Sequence, residues 1–121
     1  MGIVAGDKIE AEYIYGRAGY VSVRAGNGKK ATVIMSSASN GVYMIVIHMA
    51  TATVCGGIYM VHHETGGWHG NWIQTMGTPA NNMSITLSEG KIIISNKNTG
   101  VMIKALIFST SKFHFIDDDP N

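Results

Sequence analysis

Charge is scarce in this sequence. Lysine, arginine, aspartate and glutamate make up 14% of its 121 residues, where soluble domains usually carry roughly a quarter. A domain so poor in charge has little with which to cover its own surface, which favours burial of part of that surface against other copies. The formal net charge is +1, and no basic run is interleaved with aromatics. Nucleic acid is therefore not an expected partner. Cysteine occurs once, at Cys55, so no intrachain disulfide can form and no cysteine framework argues for secretion. Within VCGGIYM it reads as a small buried hydrophobe. The start, MGIVAGDKIE, lacks a basic region followed by a long apolar one, so no signal peptide is expected. The longest apolar run, VYMIVIHMA, falls far short of the ~20 residues a spanning helix needs, and membrane insertion is not expected. Helical periodicity with cap chemistry is missing as well.

What is present reads as strand. Apolar, β-branched and aromatic residues come in short runs punctuated by glycine and asparagine. Strands are expected over 8–15, 19–25, 31–36, 42–50, 54–62, 72–76, 83–88, 91–96 and 100–110. This spacing predicts one all-β domain over 1–121, an antiparallel β-sandwich of jelly-roll-like type, with 111–121 as a C-terminal tail. Asn27-Gly28 has the chemistry of a tight hairpin turn. Gly90 in SEGK joins MSITLS to KIIISN, and NKNTG leads into VMIKALIFST, so the last three strands read as a continuous meander. In MSITLS the apolar residues Met83, Ile85 and Leu87 share one face. VYMIVIHMA is instead apolar on both faces, as a strand covered on both sides would be. A neighbouring subunit is the economical second cover. The methionines Met44, Met49, Met60, Met76, Met83 and Met102 suit both core packing and an adaptable interface.

The stretch HHETGGWHGNW, residues 62–72, holds three of the five histidines and both tryptophans. His62, His63, Glu64 and His69 are metal-ligand types, but adjacent residues of a strand point to opposite faces, so no metal site is expected. Cys55 lacks an activating surrounding and no serine lies in GxSxG, which argues against a nucleophilic enzyme. Acidic residues are few, and Glu64 has no obvious carboxylate partner for glycoside hydrolysis. A non-enzymatic protein without cofactor is expected. A binding role fits the stretch better. Tryptophan faces stack on sugar rings, short polar arms lie beside them, and glycines let the backbone approach a ligand. Trp68, His63, Glu64, His69 and Asn71 are the candidate ligand- or receptor-binding residues. Trp72 opens a strand and is expected to plug the sandwich, whereas Trp68 is expected at an exposed loop tip.

From Gly41 onward, GVYMIVIHM, GGIYMVHHETGG and MSITLSEGKIIISNKNTGVMIKALIF together resemble the C-terminal head domains of tailed-bacteriophage fibres, tailspikes and tail needles. The resemblance lies in a G-[VI]-Y strand, a following G-x-Y-x-V strand and a closing meander of the form sits-xxG-xixisN-xxxxxxikall. Gly41-Val42-Tyr43 is also similar to a strand of tumour-necrosis-factor-like trimers. What this implies is a homotrimeric knob in the virion tail, serving host-surface recognition, fibre trimerisation, or both. Its implied partners are further copies of itself and a bacterial surface glycan or outer-membrane receptor. The rival reading is a carbohydrate-binding module or lectin of cellular origin. A small hydrolase stands third.

Overall fold

The structure, a computed structural model, describes residues 18–35, 40–51 and 53–116. The strand expected over 8–15 and the acidic run at 117–119 lie outside the described residues. The described residues form nine strands: β1 Ala18–Val23, β2 Lys30–Met35, β3 Gly41–Met49, β4 Gly56–Glu64, β5 Gly67–Met76, β6 Met83–Ser88, β7 Lys91–Asn96, β8 Ile103–Ser109 and β9 Phe113–Ile116. A single 3-10 turn, Pro79–Asn81, is the helical element among the described residues.

The strands form two open antiparallel sheets, ordered β1-β8-β3-β4-β5 and β6-β7-β2-β9. The all-β sandwich expected from the sequence is present, and its core lies between the sheets. Tyr43, Ile45, Ile47, Val61, Ile103 and Ile107 of the larger sheet meet Val33, Met83, Ile92 and Ile94 of the smaller. Period-2 alternation does the sorting. In β3, residues 43, 45, 47 and 49 are buried, while Met44, Val46 and His48 are exposed. In β6, Met83 is buried, and Ile85 and Leu87 pack against the core, as their shared face requires.

Several connections differ from the sequence expectation. β6 and β7 pair as a hairpin, but β8 leaves for the other sheet and pairs with β1 and β3, so there is no three-strand meander. The reason is polar. Asn96 is buried, and its amide donates to the carbonyls of Arg24 and Val101 at 2.9 and 2.8 Å while accepting the Asn98 N–H. Those bonds bend NKNTG across the end of the sandwich. Asn27-Gly28 makes no hairpin either, because it links β1 of one sheet to β2 of the other. Its neighbours Gly26 and Gly28 donate to the carbonyls of Asn98 and Asn96 instead. Finally, the expected tail from 111 begins with β9, which pairs with β2 and turns Phe113 edge-on to Tyr43 at 6.0 Å.

Candidate functional site

HHETGGWHGNW folds as the end of a hairpin. β4 runs to Glu64 and β5 starts at Gly67, with Thr65-Gly66 between them. The pairing sets Glu64 opposite Gly67, His63 opposite Trp68, His62 opposite His69 and Met60 opposite Asn71. Alternation then divides the five candidate residues between two faces. His63 and Trp68 point into the sandwich. Glu64, His69 and Asn71 point away from it, beside His62.

The inward pair is a stacked unit. The His63 and Trp68 rings lie 3.7 Å apart at an interplanar angle of 9°. His63 is 8% exposed and its Nδ1 has no hydrogen-bond partner. Trp68 packs against the core, and its ring reaches the β6–β7 turn, where a Cβ on Gly90 would stand 3.9 Å from it. Trp68 is therefore not a solvent-facing tip; both tryptophans are partly buried. Trp72 meets Tyr59 edge-to-face at 5.3 Å, and burial raises the Tyr59 phenol above its ordinary pKa. Glycine count misleads here. Gly70 stays bare because Tyr59 and Leu87 fill its place: a Cβ there would lie 2.9 Å from the Tyr59 ring.

The outward face holds the accessible chemistry. The Glu64 carboxylate accepts the Gly66 N–H at 2.6 Å through one oxygen and meets His69 Nε2 at 3.0 Å through the other. The Gly66 bond and the His69 contact hold its pKa below the ordinary glutamate value. Asn71 and His62 stand exposed beside this pair. The surface thus offers a fixed anion together with amide and imidazole donors and acceptors. Among the described residues no three histidine, cysteine, aspartate or glutamate side chains gather as a metal-ligand set. His63 lies on the opposite face of β4 from His62.

Sequence reasoning missed the neighbours that support the hairpin from the other sheet, Leu87 and the Glu89-Gly90 turn. No local pattern signals such a contact between sheets. At the opposite end of the sandwich, a pocket of about 290 Å³ is lined by Met49, Thr51, Thr53, Cys55, Asn82, Asn98 and Val101. Its amides are already occupied. Asn98 donates to Asn82 at 3.2 Å and accepts from Gly100, while Asn82 donates to Thr78.

No protein-family model matches this chain, and no curated protein sequence does either. Two solved structures share its fold. One is the tailspike protein gp49 from Acinetobacter baumannii bacteriophage Fri1, a capsular polysaccharide depolymerase, with a TM-score of 0.56 and 12% identity over 82% of this chain. The other is the tailspike protein of the Acinetobacter phage vB_ApiP_P1, with a TM-score of 0.50 and 13% identity over 86%. This chain spans 19% and 23% of their respective lengths. At these identities the likeness is one of fold.

Proposed function

We propose that this chain is a non-enzymatic head domain of a phage tail fibre, tailspike or tail needle. In this reading it works at the virion tail as a homotrimer and binds a bacterial surface glycan or outer-membrane receptor through the outward face of the β4–β5 hairpin. The fold shared with two phage tailspike proteins carries the reading, and the sequence pattern from Gly41 onward agrees with it. The hairpin supplies fitting chemistry. Neutral and singly charged hydrogen-bonding groups stand in a row on a rigid strand pair, as polyhydroxylated ligands require.

Glu64 does not have the character of a general acid. A general acid needs a raised pKa, so that it carries a proton near neutrality. Glu64 is shifted the other way, and both its oxygens are engaged. It suits an acceptor of sugar hydroxyls.

The test is binding of the labelled protein to host cells and to purified capsular polysaccharide, with reducing ends assayed in parallel. Asn71→Ala and His69→Ala should each weaken binding by about 1–3 kcal/mol, the range of a useful contact, while melting as the parent does. Release of reducing ends would overturn the non-enzymatic reading. Binding untouched by either variant would move the site elsewhere.

A further inference from the structure

The outer face of the five-stranded sheet is apolar across its middle. One row of cross-strand neighbours runs Tyr20, Leu106, Val46, Ile58; the next runs Ala18, Phe108, Met44 and stops at Met60, where Asn71 begins the polar hairpin surface. Tyr20, Leu106, Phe108 and Val46 are 55%, 44%, 43% and 40% exposed. Polar residues flank this centre: Ser22, Lys104 and His48 on one side, His62 and His69 with Val42 on the other. An apolar centre with polar flanks is the anatomy of a protein contact. Together these side chains leave on the order of 600 Å² of apolar surface open. That is at the top of what monomers show and near the ~800 Å² each partner contributes to a standard interface.

The face also has relief. At the β4–β5 side, a pocket of about 530 Å³ opens beside Gly56; Val46, Val54, Ile58 and Met76 are among its walls. At the opposite edge, on β1, Tyr20 is the large exposed side chain. The sheet therefore carries a projecting aromatic on β1 and an apolar recess that spans β3 to β5.

We propose that a second copy of this chain covers this face, with Tyr20 of one copy seated in the Val46–Val54–Ile58–Met76 recess of the next. A second copy fits because the face lacks charge at its centre and supplies both the projection and the recess. The reach of the patch matches what one partner contributes to a stable contact. A head-to-tail contact of this kind closes a ring of three when each copy is rotated by a third of a turn from the last. The inference rests on the self-assembling reading given above and adds which surface does it.

The experiment is a directed cross-link. Tyr20→Cys and Met76→Cys are introduced together into a Cys55→Ala background. Within one chain these positions are separated by four strand spacings, roughly 19 Å, beyond the ~7 Å that a disulfide spans between Cα atoms. Any bond is therefore between copies. Mild oxidation should give covalent species limited at three chains on a non-reducing gel, and Leu106→Lys should reduce the light-scattering mass of the parent to one chain. A limit at two chains keeps the face and overturns the threefold reading. A stable three-chain parent that neither cross-links nor responds to Leu106→Lys overturns this inference alone. A monomeric parent overturns both.

Discussion

Trp68 illustrates how a single ring is placed by partners distant in the chain. It is flanked by glycine and histidine, yet it lies against the core, stacked on His63 and reaching the Gly90 turn. Trp68→Ala should cost about 1–3 kcal/mol, less than a fully buried tryptophan because the ring is only partly buried. Urea unfolding measures it, and an unchanged midpoint would put the ring back in solvent. Asn96 is the polar counterpart in the core. Asn96→Leu strands the carbonyls of Arg24 and Val101 and the N–H of Asn98, and should cost roughly 2–4 kcal/mol. Glu64 contributes in a pH-dependent sense. Its folded pKa is depressed, so its contribution is present above the unfolded glutamate pKa and is lost as pH falls through the folded value. In an NMR titration the Gly66 amide should shift with a midpoint below that of an ordinary glutamate.

Strands were far more legible than their partners. The bounds of β6 and β7 follow directly from MSITLS and KIIISN around Gly90, because a short hairpin writes both its alternation and its turn locally. β8 was legible as a strand, but its sheet was not. The decision rests on Asn96 reaching Arg24, a contact 72 residues apart that no window reveals. The β4–β5 hairpin was hidden for a different reason. Gly66, Gly67 and Gly70 read as a loop, although Gly70 is a strand residue kept bare for Tyr59. Gly70→Ala forces that ring or the strand to move, and should cost about 1–3 kcal/mol as overpacking does. A thermal midpoint equal to the parent's would show that Tyr59 yields freely. Of the candidate site, the residue types were readable and their division between two faces was not. That division needs the register His62–His69, which only the two-residue turn fixes.

At the scale of the whole molecule, the fold is held by the core between its sheets. A strong chelator should leave the melting midpoint of the intact protein unchanged, whereas a fall of many degrees would point to a metal among residues far apart in sequence. The hairpin's two faces have a further consequence, for change over generations. Positions 63, 68, 70 and 72 face the core and are tied to stability, while positions 62, 69 and 71 face outward with few obligations to it. The latter form a short writable line on a fixed page. Substitutions there can change what the surface recognises without passing through unfolded intermediates, so a shift of ligand need not wait for a compensating mutation in the core.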